Sequence, residues 1–182
     1  MERVVKADLF RHAGLTGIKG FLKGWFIPGF RYMYLLRKAA KCSKYSPLGL
    51  IYRSYLRKYS FLYGFQIPVS THIGEGFYIG HHGTIIINAK AKIGTNCNIS
   101  PGVTIGQANR GKLKGYPTIG NNVWIGTGAV IVGNITIGSN VLIAPNSFVN
   151  VDVPDNSLVL GNPVKIHAKE NPTEGYINNK FL

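Results

Sequence analysis

The sequence predicts a mainly β protein, a parallel β-helix of hexapeptide repeats, with a short helical segment at its N-terminus. Three observations predict it. Aliphatic residues recur every six positions at Ile87, Ile93, Ile99 and Ile105, and again at Ile119, Ile125, Ile131, Ile137, Ile143 and Val149. Glycine follows the aliphatic at Gly94, Gly106, Gly120, Gly126 and Gly138. Charge and aromatic content change abruptly near Phe65. A period of six is incompatible with the 3.6-residue period of a helix, and a repeat sustained over so many turns decides the fold before any local propensity does.

Residues 1–65 form the first region. They hold 13 Lys/Arg against 2 acids, a net of +11, and 14 of the 21 aromatic residues. Residues 66–182 hold 8 Lys/Arg and 5 acids, a net of +3. Pro28-Gly29 interrupts any helix running through this region. From Pro47 to Phe65, Leu50, Ile51, Tyr55, Leu56, Tyr59 and Leu62 recur at helical spacing. Trp25, Phe26, Phe30, Tyr32 and Tyr34 lie among Lys23, Arg31, Arg37 and Lys38. Interleaved rings and cations suit peripheral contact with an anionic membrane, and equally a helical cap on the second region with solvated charges. The two readings are compatible. Nucleic acid requires a recognisable module, and none is present.

Residues 66–168 form the β-helix. Each hexapeptide supplies one short strand and one corner: the aliphatic residue fills the interior, and Gly or Asn permits the corner backbone. Three hexapeptides close a triangular coil of 18 residues, and coils stack at the strand spacing of about 4.8 Å. Ile73 and Ile79 begin the series. Cys97 falls at a small interior position and reads as packing. Two departures break the period. Ile79 to Ile87 is two residues too long and contains Gly80-His81-His82-Gly83. Ile105 to Ile119 is also two too long and contains a basic loop with Arg110, Lys112 and Lys114. A buried coil has no room for extra residues, so both must bulge outwards, where a rigid scaffold usually carries its chemistry. Residues 169–182 are a C-terminal tail.

Composition bounds the function. A chain of 182 residues with 45% hydrophobic and 15% charged residues is too apolar for disorder and long enough to bury a core. Its +14 net charge favours phosphate-bearing or anionic partners. Two cysteines suit a reducing, cytoplasmic setting. No run of 18 apolar residues predicts a spanning helix, and no signal-peptide stretch opens the sequence.

The stretches IPVSTHIGEGFYIGHHG, TIIINAKAKIGTNCNISPGVTIG and PTIGNNVWIGTGAVIVGNITIGSNVLIAPNSFV, closed by VPDNSLVLGNPVKI, resemble the hexapeptide-repeat acyltransferases, in the serine O-acetyltransferase-like branch. The resemblance implies a left-handed β-helix, a homotrimer, and acetyl-CoA as co-substrate lying between subunits, with no metal. It makes His81 the general base. A hydroxyl is a weak nucleophile at its free pKa and needs a base within hydrogen-bond reach, and imidazole titrates near neutrality. His82 and Tyr116 are candidates for the acceptor site. Carried over by position, Gly126 and Thr127 would line the pantetheine arm, with Ala144 and Pro145 beside it and Asn150 further on. Lys165, in the closing Gly161-Asn162-Pro163 motif, would meet a phosphate.

The chain also departs from the family. Gly80 stands where serine acetyltransferases carry an Asp before the base, Gly115-Tyr116-Pro117 where they have Arg-His-Pro, and Gln66 at a further upstream Asp. The missing Asp and Arg would leave the ammonium and carboxylate of serine unpaired, at a cost of several kcal/mol. The expected acceptor is therefore a neutral hydroxyl such as a sugar's; in form the chain resembles the capsule and exopolysaccharide O-acetyltransferases, which implies a surface polysaccharide or its lipid-linked precursor, with the basic N-terminal region at the inner face of the membrane. Serine, as in cysteine biosynthesis, is the alternative. A metal hydratase would need three converging imidazoles, which adjacent His81 and His82 on a strand do not provide.

Overall fold

The computed structural model describes residues 1–181; Leu182, the last residue of the expected tail, lies outside the described residues. Four helices come first: α1 (Arg3–Phe10), α2 (Gly17–Trp25), α3 (Pro28–Lys41) and α4 (Pro47–Tyr63). Pro28 and Pro47 each open a helix, the position where a missing N–H costs nothing. The Ser46 side chain accepts from the Gly49 N–H at 3.1 Å and caps α4. Gly64, at φ 75°, ends it in the left-handed conformation. Among the described residues, no helix is long and apolar enough to cross a membrane.

Three sheets then form the faces of a prism. Sheet A stacks β1 (Phe65–Gln66), β4 (Ile85–Ile87), β7 (Thr104–Gly106), β10 (Val130–Val132) and β13 (Phe148–Val149). Sheet B stacks β2 (His72–Ile73), β5 (Lys92–Ile93), β8 (Thr118–Ile119) and β11 (Thr136–Ile137). Sheet C stacks β3 (Tyr78–Ile79), β6 (Asn98–Ile99), β9 (Val123–Ile125), β12 (Val141–Ile143) and β14 (Ser157–Leu160), and ends on β15 (Lys165–Ala168), which pairs antiparallel with β14. Among the described residues, all other pairings between these strands are parallel and in register. Ile73, Ile93, Ile119 and Ile137 therefore lie above one another. So do Ile79, Ile99, Ile125 and Ile143. Each of these interior residues is buried, which is why the six-residue period is so regular.

The corners divide two roles between Gly and Asn. The glycines at Gly74, Gly94, Gly120 and Gly138, on the corner between sheets B and C, are not in the left-handed region. A Cβ on Gly74 would come within 2.5 Å of the Gly94 carbonyl, so these glycines serve the close approach of successive coils. The left-handed positions come two residues later, at Gly76, Asn96, Asn122, Asn140 and Asn156. Asn tolerates that conformation because its short side chain bonds locally.

The core is continuous from α3 and α4 into the coils, and includes Tyr32, Met33, Leu36, Leu56 and Tyr63 beside Phe65, Ile73 and Ile79. Gly29 lies flush against the backbone of Ile79; a Cβ there would collide with the Ile79 carbonyl. The C-terminal tail covers sheet C. Tyr176 packs on Trp124 at 4.8 Å between ring centroids, its carbonyl accepts from Asn98 at 3.0 Å, and Ile177 is buried.

His12 is buried between α3 and sheet C, 4.7 Å from the Tyr78 ring and 6.0 Å from Phe30. Burial, and secondarily the Arg11 charge, lower its pKa from 6.5 to about 4. The folded protein thus keeps His12 neutral where the unfolded chain would protonate it. The resulting stability is complete above pH 6.5 and is lost as pH falls through about 4. At about 1.4 kcal/mol per unit this amounts to roughly 3 kcal/mol at most. Urea midpoints measured from pH 7 to pH 4 should fall more steeply for the native chain than for His12→Phe, which keeps the ring packing without the titration. Parallel profiles would refute it.

Candidate active site

The sequence requires both insertions to bulge outwards, and the structure places each at a corner. Gly80 to Thr84 forms the turn from sheet C to sheet A. His81 and His82 are exposed at its tip. The turn is anchored from both sides: the Gly83 N–H donates to the Tyr63 carbonyl at 2.9 Å, and the Thr84 carbonyl accepts from the Gly102 N–H at 2.6 Å. Gly83 has φ 142° and packs over Pro101. The tip is thereby held between the end of α4 and the next coil.

The same corner continues down the prism. The Gly128 N–H donates to the Pro101 carbonyl at 3.0 Å, and the Asn146 N–H to the Thr127 carbonyl at 2.9 Å. The Gly161 N–H then donates to the Ser147 hydroxyl at 3.0 Å. One column thus carries, in order, His81 and His82, Pro101-Gly102, Gly126-Thr127, Ala144-Pro145 and the turn Gly161 to Pro163, from which Lys165 leads into β15. Four coil spacings of about 4.8 Å make this column about 19 Å long. Its small residues leave a shallow wall, with imidazoles at one end and an exposed lysine at the other.

Tyr116 and Asn150 are elsewhere, on the corner between sheets A and B. Tyr116 is half-buried, with the Lys90 ammonium 5.1 Å from its ring centroid. The sequence does not single out Lys90, which the structure leaves exposed on the preceding coil of that corner. The basic loop leaves this corner too. Ala108 and Gly115 pair antiparallel at 3.0 and 3.1 Å, and the Leu113 carbonyl accepts from the Asn134 N–H at 2.9 Å. Arg110, Lys112 and Lys114 remain exposed. Within one chain, therefore, sheet A separates the His81 turn from Tyr116.

Among the described residues, no carboxylate is hydrogen-bonded or ion-paired to His81 or His82. Glu75 is on a different corner, paired with Arg3 at 3.0 Å, and Asp8 is buried against Arg37. Cys97 is buried and its thiol is pushed up to about 12 by desolvation, so it is inert packing. Among the described residues, no three His, Cys, Asp or Glu side chains converge as a metal site would require.

Comparison with known proteins bears on this geometry. A family profile, bacterial transferase hexapeptide (six repeats), matches residues 116–150. The solved serine acetyltransferase of Neisseria gonorrhoeae in complex with serine is 30% identical, with a TM-score of 0.72, over 91% of this chain and 68% of that one. This chain belongs to the hexapeptide-repeat acyltransferases, in the serine acetyltransferase-like branch. The family also includes the serine acetyltransferase of Brucella abortus solved in complex with coenzyme A, at 27% identity and a TM-score of 0.74, over 91% of this chain and 67% of that one. Among curated proteins, the serine acetyltransferase of Synechococcus elongatus is 39% identical over 105 residues, 58% of this chain and 43% of that enzyme. The chain spans about half the length of several curated relatives it matches.

These relatives overturn the expectation of a polysaccharide hydroxyl as acceptor. Many matches among curated proteins and solved structures alike are serine acetyltransferases. The inference from Gly80, Gly115 and Gln66 assumed that the charges for an amino acid must come from those aligned positions. A cation or carboxylate can equally come from another part of the fold or from a second copy.

Proposed function

We propose that this protein is an acetyl-CoA-dependent serine O-acetyltransferase, with His81 as general base. The observation that carries the reading is the single column that joins His81 to Lys165 across Gly126-Thr127 and Ala144-Pro145. An extended pantetheine arm fits such a wall of small residues, with its thioester at the imidazole end and a phosphate at the Lys165 end. In this reading His81 takes the serine hydroxyl proton as oxygen attacks the thioester carbon, and returns it to the departing CoA thiolate. A backbone N–H or the Tyr116 hydroxyl donates to the oxyanion.

Assembly as a trimer completes the site. Sheet A presents Ile86, Val130, Val132 and Phe148 outwards, each half-buried. Sheet B is polar outside, at His72, Lys92, Thr118 and Thr136, and sheet C lies under the tail. Packing through sheet A would bring the basic loop of one copy towards the His81 turn of another. Arg110, Lys112 and Lys114 then offer cations for the serine carboxylate, and Asn150 reaches the neighbouring column.

The test is acetyl transfer by the full chain, followed by release of free CoA thiol and by mass spectrometry of the acceptor. Serine-dependent thiol release with formation of O-acetylserine is the expected result. Binding of acetyl-CoA without serine-dependent release would overturn the acceptor, and absence of acetyl-CoA binding would overturn the transferase reading.

A further inference from the structure

The rings that the sequence offered for membrane contact are mostly turned inwards. Phe30 and Tyr32 are buried, and Trp25 and Tyr34 pack edge-to-face at 5.8 Å between α2 and α3. Phe26 is left outside, with aliphatic neighbours. Ile18 and Leu22 of α2 and Phe26, the residue that ends it, follow one another at four-residue spacing and are 83%, 59% and 79% exposed. Lys19 and Lys23, one step round the helix from each, flank this ridge and are exposed. Beside it, Ile51 and Tyr55 of α4 are 51% and 52% exposed and share with Leu22 a groove of about 550 Å³ floored by Trp25 and Leu35. A second groove of about 620 Å³, lined by Leu9, Leu15, Ile18 and Phe21, runs along the other side of α2.

We infer that this face of α2, with the Ile51–Tyr55 edge of α4, docks the protein on an anionic lipid surface. An apolar ridge bordered by lysines is the pattern of a helix lying in the headgroup plane, its large apolar side chains among the acyl chains and its cations among the phosphates. The grooves on either side give lipid chains somewhere to go. Charge decides the occupant. Glu2 and Asp8, the only acids of the first 65 residues, are already bound to Lys38, Lys41 and Arg37. A second copy on this face would therefore oppose one strongly positive surface to another. An anionic membrane complements it. Nucleic acid would use the lysines but leave Ile18, Leu22 and Phe26 in water.

The inference is independent of acetyl transfer, and so is its test. Full-length protein is sedimented with vesicles of phosphatidylcholine alone and of phosphatidylcholine mixed with phosphatidylglycerol, at low and high salt. Binding should require phosphatidylglycerol and weaken as salt rises. The Ile18→Ser/Leu22→Ser/Phe26→Ser variant alters only exposed side chains. It should bind the mixed vesicles at least about tenfold more weakly, with unchanged circular dichroism and oligomeric size. No sedimentation of the native chain, equal sedimentation with both vesicles, or undiminished binding by the variant would overturn the inference. A change of oligomeric size in the variant would also overturn it, since it would mark the ridge as a contact between copies.

Discussion

Replacing His81 by alanine is expected to lower acetyl transfer by about 10²–10⁴-fold, the usual worth of a positioned general base. The expectation has a geometric basis. The Gly80–Thr84 turn is the place where the C-to-A corner is lengthened, and the lengthening projects an imidazole at the head of the column that ends at Lys165. The turn is tied at Gly83 to Tyr63 and at Thr84 to Gly102, so the tip is presented by a fixed backbone. Acetyl-CoA affinity should stay near that of the native chain, because Gly126, Thr127, Ala144 and Pro145 lie on lower coils that the substitution does not touch. Comparison with His82→Ala checks the register, because the two side chains are adjacent and both exposed. The measurement is single-turnover acetyl transfer for both variants, alongside acetyl-CoA binding. A large loss in His82→Ala with near-native turnover in His81→Ala would move the base by one residue.

The β-helix was legible because its burial is periodic. Every coil sets an aliphatic residue above the corresponding one of the coil before, as Ile93 sits on Ile73 and Ile119 on Ile93. The stacking appears in the sequence as a strict count, and two extra residues at 80–84 or 107–117 stand out at once. Where burial is not periodic, composition misleads. Phe30 is buried and Trp25 packs against the core while Ile18 and Leu22 face outwards, and nothing in an aromatic, basic stretch says which way each ring turns. Gly17, Gly20 and Gly24 further weaken the helical signal of α2. The tail is irregular, so nothing in its residue pattern marks Tyr176 and Ile177 as the residues that close sheet C. Lys165 is legible only through resemblance; its place at the foot of the His81 column emerges from the Asn146 N–H bond to the Thr127 carbonyl and the Gly161 N–H bond to the Ser147 hydroxyl. The acceptor was misread for a related reason. A motif records which local side chains are missing, and it says nothing of charges brought across a sheet or from another copy.

The second large effect is structural and concerns Asp8, the group that fastens α1 to the first coil. Its carboxylate is buried. It accepts from Arg37 Nε at 3.0 Å, from Arg37 Nη2 at 3.3 Å and from the Phe77 backbone N–H at 3.0 Å. Arg37 reaches further, donating to the carbonyls of Ile73 and Gly74. One guanidinium thus joins α1, α3 and the corner between β2 and β3. The Asp8 side chain is 2% exposed and that of Arg37 12%, so water can replace neither partner well. Removing one member of such a pair leaves the other charge buried and uncompensated. Asp8→Ala should cost about 3–5 kcal/mol, which is a large part of the 5–15 kcal/mol that holds a typical domain together. The Phe77 N–H loses its acceptor in the same step. Asp8→Asn keeps an oxygen for that N–H but gives up the charge, and should fall between Asp8→Ala and the native chain. Urea unfolding of the three proteins at neutral pH measures the order. A loss below about 1 kcal/mol in Asp8→Ala would mean that the pair behaves as an exposed ion pair does, and that α3, through Gly29 against Ile79, holds the helices to the β-helix without it.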